Sequence, residues 1–295
     1  MSEFNEKPFY DLYQDVSLQD PVLIVGLEGW IDAGLGMSTA IRTLLESSPT
    51  ELLAGFDDDR LLDQRARRPT ARIVDGVTTS LIWPSIELRA GVDLAGRDVL
   101  FLVGPEPDMY WGGFVDAVTD LASRLEVRLV VGLGAFPAPA PHTRPVRLAA
   151  TVPEASSRLL EHVGLVAGEL EVPAGISSAL EMGFGESGID MITLWARVPH
   201  YVAAMPFPQA SEALIEGLCG IADLSYDATV LAAEADSSLT QVNNLIASNP
   251  EHVAMVRALE TTLDATEGNA LGIDELPTGD ELAAELEQFL RGEES

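Results

Sequence analysis

Short, almost uninterrupted apolar runs recur along the first two thirds of the chain, each followed by a segment with helical spacing, and this alternation limits the folds open to it. Pro21 to Leu27 (PVLIVGL) has no polar residue on either alternating face, so it reads as a strand covered on both sides. Met37, Ile41, Leu44 and Leu45 follow at the i, i+4, i+7, i+8 spacing of one helix face. Asp98 to Val103 (DVLFLV) and Arg128 to Leu133 (RLVVGL) are further buried strands, separated by a helix that Phe114, Val118, Leu121 and Leu125 mark. A strand at Val146 to Thr151, a helix around Glu154 to Val163 and a β-rich run at Ile189 to Val198 (IDMITLWARV) continue the series. Between Leu52 and Val92 several strand-like segments are joined by turns. The clearest turn is Asp75-Gly76, a hairpin signal between ARIV and TTSLIW. Strands alternating with helices predict an α/β fold, with a mostly parallel sheet between helical layers.

The character changes near Leu224. Residues 222–295 carry 16 Asp and Glu against Arg257 and Arg291, a net charge of −14 in a quarter of the chain. Apolar spacing nevertheless persists: Leu231, Leu239, Val242 and Ile246, then Val256, Leu259 and Leu263, then Leu282, Leu286, Phe289 and Leu290. Asn249-Pro250 and Pro277-Thr278-Gly279 break these stripes into separate helices. A disordered acidic tail would lack such stripes. The predicted organisation is an α/β core over residues 1–223 and a small acidic helical subdomain over residues 224–295.

Composition excludes several functions. The net charge of −30, from 47 acidic and 17 basic residues, opposes binding to nucleic-acid backbones and to anionic lipid. The longest apolar runs fall far short of the roughly 20 residues of a membrane-spanning helix. The N-terminus, MSEFNEKPFYDLYQD, has neither the basic start nor the apolar stretch of a secretory leader, so the expected location is the cytoplasm. Lys7 is the only lysine, which leaves no P-loop lysine, no pyridoxal Schiff base and no kinase strand lysine. Cys219 is the only cysteine, and its neighbours read as a helix, so it is a small core residue. No metal ligand set and no cofactor is expected. No G-x-S-x-G elbow and no His-x-x-x-His spacing occurs. Gly183 to Gly188 (GFGESG) matches the dinucleotide fingerprint by letter, but it precedes a strand, where the fingerprint must follow one.

In open parallel sheets, ligands bind beyond the carboxyl ends of the strands. Polar segments follow four of the strand-like runs here: Glu28 to Gly34, Gly104 to Asp108, Pro137 to Pro145, and Pro199 to Tyr201. Parallel pairing would gather Glu28, Trp30, Asp32, His142, Arg144, His200 and Tyr201 at one edge, as ligand-binding candidates. Arg144 beside His142 suits an anion. Asp32 reads equally well as a cap on the following helix, and Glu106 and Asp108 as turn and cap residues. Each of His142 and His200 adjoins a proline in a loop, a setting in which a histidine commonly pins backbone. No catalytic residue is specified.

LIVGLEGWIDAG (Leu23 to Gly34), RPTARIVDG (Arg68 to Gly76), LVGPEPD (Leu102 to Asp108), PHTRPV (Pro141 to Val146) and VPHYV (Val198 to Val202) recur in that order in the PAC2 (proteasome assembly chaperone 2) family, whose actinobacterial branch the chain resembles over about residues 15–220. The resemblance implies a three-layer α/β/α fold of the phosphorylase/hydrolase-like type, with a mixed sheet. It implies homo-oligomers, with a trimer favoured, and a non-catalytic chaperone or scaffold that binds a protein partner. The alternative is a small-molecule-binding protein or a hydrolase/phosphorylase-like enzyme using the strand-end cleft. Assembly chaperones of the family carry a C-terminal hydrophobic–tyrosine–any tripeptide. This chain reads Gly292-Glu293-Glu294-Ser295 there, which argues against docking to a proteasome ring.

Overall fold

The computed structural model describes residues 8–29, 31–165 and 168–265, so Trp30, the stripe from Leu282 to Leu290 and the terminal Gly292 to Ser295 lie outside the described residues. In chain order the strands are β1 (Tyr10–Leu12), β2 (Val22–Glu28), β3 (Thr50–Phe56), β4 (Thr70–Val74), β5 (Val77–Ile82), β6 (Glu87–Val92), β7 (Asp98–Pro105), β8 (Leu129–Ala138), β9 (Leu148–Thr151) and β10 (Met191–Pro199). The helices are α1 (Gly36–Ser47), the short α2 (Asp58–Leu61), α3 (Trp111–Arg124), α4 (Ile176–Ser187), α5 (Pro208–Ala222), α6 (Ala232–Ala247) and α7 (Pro250–Ala265). Eight strands form one sheet in the order β1-β3-β6-β7-β2-β8-β10-β9.

The side-chain alternation of β2 explains its unbroken apolar run. Val22 and Ile24 enter one core, with Met37, Ile41 and Leu44 of α1 and Leu214, Ile215 and Leu218 of α5. Leu23, Val25 and Leu27 enter the other, with Val118 and Leu121 of α3 and Leu180 and Phe184 of α4. A strand whose two faces both meet a helical layer must be apolar at every position. The result is a three-layer α/β/α sandwich.

The sheet is mixed, which corrects the mostly parallel arrangement read from the alternation. The three pairings β7–β2, β2–β8 and β8–β10 are parallel, and the four pairings outside them are antiparallel. The α3 crossover brings β8 back parallel to β2, the strand it shares with β7, whereas the short connection of residues 93–97 between β6 and β7 permits only a hairpin. Two further expectations shift in detail. Residues Glu154–His162 form a 3-10 helix, and the strand read as Val146 to Thr151 begins at Leu148. The GFGESG stretch begins inside α4. There Gly183 lets α4 approach α3, since a Cβ at this position would lie 2.2 Å from Val115 Cγ1.

The described part of the acidic segment, residues 224–265, packs on the first core. Leu224, Leu231, Val242, Ile246 and Val256 join the same buried cluster as α1 and α5. The Asp75-Gly76 turn has φ of 49° and 82°, the left-handed pair of a two-residue hairpin loop, and joins β4 to β5 as a separate two-stranded sheet. Every residue of that hairpin is exposed.

Candidate functional site

Because β7, β2, β8 and β10 are parallel neighbours, their carboxyl ends open along one edge of the sheet. β2 ends on Glu28, β7 leads to Glu106 and Asp108, β8 leads into the loop carrying His142 and Arg144, and β10 runs into the 3-10 turn His200–Val202. The edge is one place, but its polar groups separate into distinct clusters.

His142, His200 and Tyr201 form the tightest of these. The Tyr201 ring meets the His142 ring edge-on at 5.7 Å between centroids and the His200 ring at 5.3 Å. The His142 backbone N–H donates to Tyr201 Oη over 2.9 Å, and His142 Nδ1 lies 2.7 Å from the same oxygen. A hydroxyl that already accepts from a backbone N–H has its own proton to give, so Tyr201 donates to Nδ1. The ring proton then sits on Nε2, which donates to Asn243 Oδ1 of α6 at 3.2 Å. Burial holds the imidazole below its ordinary pKa of 6.5, an effect opposed by the Asn243 hydrogen bond and the Glu260 carboxylate. Burial likewise raises the Tyr201 phenol above its usual range. The neutral His142 therefore joins the loop after β8, the turn after β10 and helix α6. In this arrangement it pins backbone.

Arg144 is engaged by α7. Its Nε and Nη2 reach Asp264 Oδ1 and Oδ2 at 3.0 and 2.8 Å, a bidentate pair, and its Nη1 lies 3.3 Å from Glu260 Oε1. Thr143 Oγ1 also donates to Glu260. Asp32 acts as a helix cap: Oδ1 accepts from the Met37 N–H at 2.7 Å, and Oδ2 accepts from the Ser38 N–H at 3.0 Å and from the Ser38 hydroxyl. Glu106 sends Oε2 to the Ile176 N–H at 3.1 Å, at the start of α4. Asp108 accepts from the Asp63 N–H at 2.8 Å and pairs with Arg67. Glu28 is exposed, and among the described residues no hydrogen bond joins Glu28 or Asp32 to the histidine cluster. The loop after β2 nonetheless abuts the segment after β10, through Gly34 N–H to Ala203 O at 2.7 Å and Phe207 N–H to Gly34 O at 2.8 Å.

Asn243, Glu260 and Asp264 were not among the sequence candidates. All three sit on exposed or half-buried faces of acidic helices, about a hundred residues or more beyond the loop they meet, and nothing local marks that meeting. Arg197 does carry a signal in the sequence: it is the one charge in a strand that is otherwise apolar but for Thr193.

Residues 26–246 match the PAC2 family. A protein of unknown function from Corynebacterium glutamicum is 32% identical with a TM-score of 0.82, over 88% of this chain and 98% of that one. A protein of unknown function from Mycobacterium tuberculosis is 32% identical with a TM-score of 0.81, over 99% of each chain. A second Mycobacterium tuberculosis protein, a proteasome-assembly chaperone homologue, is 33% identical with a TM-score of 0.73, over 80% of this chain and 99% of that one. No curated protein matches the chain.

Proposed function

The chain belongs to the PAC2 family, and from that membership we propose that it is a non-catalytic assembly chaperone or scaffold that works as a homo-oligomer, a trimer of identical chains. The observation that carries this reading is the β4–β5 hairpin. Ile73, Val74, Val77, Leu81, Ile82 and the adjacent Trp83 are 45–66% exposed on a two-stranded sheet with no partner layer among the described residues. A lone two-stranded hairpin is marginal in water, and an apolar patch of this kind is what a subunit interface covers. The occupant we assign is a second copy of this chain, on grounds of charge. From the end of α2 through the hairpin, residues 62–82 hold four arginines (65, 67, 68 and 72) against Asp63 and Asp75, a local charge of 4 − 2 = +2, so the remainder of the −30 chain carries −32. A basic, apolar projection on an acidic protein is complementary to the rest of that protein's own surface.

The similarity to a proteasome-assembly chaperone homologue supports proteasome subunits as the first partner to test. Purified chain mixed with unassembled α-subunits from the same organism should speed ring assembly in proportion to its own concentration. Unchanged assembly, together with turnover of an ester, peptide or nucleoside substrate by the purified chain, would replace this reading with the enzymatic one.

A second reading has its own support. The gathering of His142, His200 and Tyr201 at the carboxyl ends of parallel strands favours a small-molecule ligand there, with Glu28, Trp30, Asp32 and Arg144 as the remaining candidates. Under this reading Arg144→Ala removes ligand-induced thermal stabilisation in a metabolite screen and leaves the oligomer intact. A hit that stabilises the variant as well as the wild type would contradict it.

A further inference from the structure

Three arginines share one small cavity in a chain that is otherwise strongly acidic. The cavity, of ≈ 20 Å³, lies where the loop after β8 meets the end of β10, and Arg144, Arg147 and Arg197 line it. Its wall is stiff, since Pro139, Pro141, Pro145 and Pro199 all contribute to it. Its roof is Leu263 of α7. The space holds about one water and no more.

Arg197 is the residue that requires explanation. Its Nε is buried and has no hydrogen-bond partner among the described residues. Its backbone N–H donates to Arg147 O at 3.1 Å, so two strand-end arginines are held side by side. Burial first, and then the like charge of Arg147, press the Arg197 guanidinium toward its neutral form. Guanidinium stays charged in proteins, so burying Arg197 with its Nε unmet is a cost that an anion would relieve, whereas Asp264 acts on Arg147 as well as on Arg144. The third arginine already shows what such an anion looks like, because Arg144 grips the Asp264 carboxylate with two parallel hydrogen bonds and takes a further contact from Glu260.

We propose that Arg144, Arg147 and Arg197 form a binding site for the carboxylate or phosphate group of a small ligand, and that Glu260 and Asp264 of α7 occupy Arg144 as internal substitutes until that ligand displaces them. The exchange replaces one charge-assisted pair by another at Arg144, while it adds the partner that Arg197 Nε lacks. The present cavity is too small for a metabolite, so ligand entry requires Leu263 to lift, and α7 moves with it. The site does not depend on the hairpin or on oligomer formation, so a variant defective in assembly retains it.

The test is calorimetric titration of the full chain with inorganic phosphate and, separately, with succinate. At least one probe is expected to bind saturably at one site per chain. If only phosphate binds, the ligand carries a phosphate; if only succinate binds, it carries a carboxylate. Removing the internal competitors in the Glu260→Gln, Asp264→Asn double variant should tighten binding by about two- to fivefold. Arg197→Met, which keeps most of the apolar stem, should weaken binding roughly tenfold or more. If that variant does not fold by circular dichroism, Arg147→Gln takes its place with the same expectation. Hydrogen exchange in α7 should rise at saturating probe. The proposal is overturned if neither probe binds the double variant at millimolar concentration, if the arginine variant binds as the wild type does, or if α7 protection is unchanged by a bound probe.

Discussion

Tyr201 Oη serves two groups of His142, and removing it leaves a buried N–H and a buried ring nitrogen unmet. Tyr201→Phe should therefore cost about 1–3 kcal/mol of stability, seen as a lower urea midpoint with an unchanged slope. A midpoint equal to wild type would mean that water or another group satisfies both atoms. His142 adds a pH dependence with a definite sign. Its folded pKa is held below 6.5, so the unfolded chain binds the proton more readily. The stability it contributes is complete above pH 6.5 and is lost as pH falls from there through the lower folded value. Urea midpoints about one pH unit either side of 6.5 should show this fall in the wild type, and a smaller one in His142→Gln. An equal fall in both would assign it to other groups. Sequence reading placed both histidines and Tyr201 in loops after strands, from the prolines beside the histidines. It could not find Asn243, since the hydrogen bond spans 101 residues and an asparagine on an exposed helix face looks like any other.

Among elements, the strands that sequence reading identified best were those buried on both faces. β2, β7, β8 and β10 each show as an apolar run, and their parallel order follows from the helices between them. β3 follows α1, and β9 pairs antiparallel with β10 although α4 lies between them, so alternation with helices did not reveal the antiparallel pairings. Gly183 was legible as a glycine but not as a contact, because the reason for it lies on α3. Gly183→Ala should cost about 1–3 kcal/mol in a denaturant titration, since the new Cβ meets the stiff side chain of Val115. A neutral effect would show that α3 and α4 slide apart freely. The second acidic stripe, Val256 to Leu263, is a docked helix, and α7 is held by Val253, Met255, Val256 and Leu259 on the core and by the Arg144 ion pairs. Arg144→Ala should raise hydrogen exchange in residues 250–265 while changing global stability by only about 0–1 kcal/mol, as partly exposed ion pairs do. Unaltered exchange would mean that the apolar contacts of Val253, Met255, Val256 and Leu259 suffice to hold α7.

At the scale of the whole molecule, the excess of acidic residues sets the terms on which chains meet. Like charge opposes association between copies of this protein, and the element we propose to offer complementarity is the exposed apolar β4–β5 hairpin with Arg65, Arg67 and Arg68 leading into it. No helix among the described residues is long and apolar enough to cross a membrane. The hairpin itself was legible from Asp75-Gly76. Its exposure was not, because alternating apolar residues look the same whether a helix or another subunit covers them. Light scattering on the full chain across micromolar dilution tests the account most directly. It predicts a mass of three times 31.5 kDa for the wild type, falling toward 31.5 kDa when Val77, Ile82 and Trp83 are replaced by Thr, Thr and Ser with the fold retained by circular dichroism. A wild-type mass of 31.5 kDa at every concentration, or an oligomer indifferent to the hairpin substitutions, would contradict it.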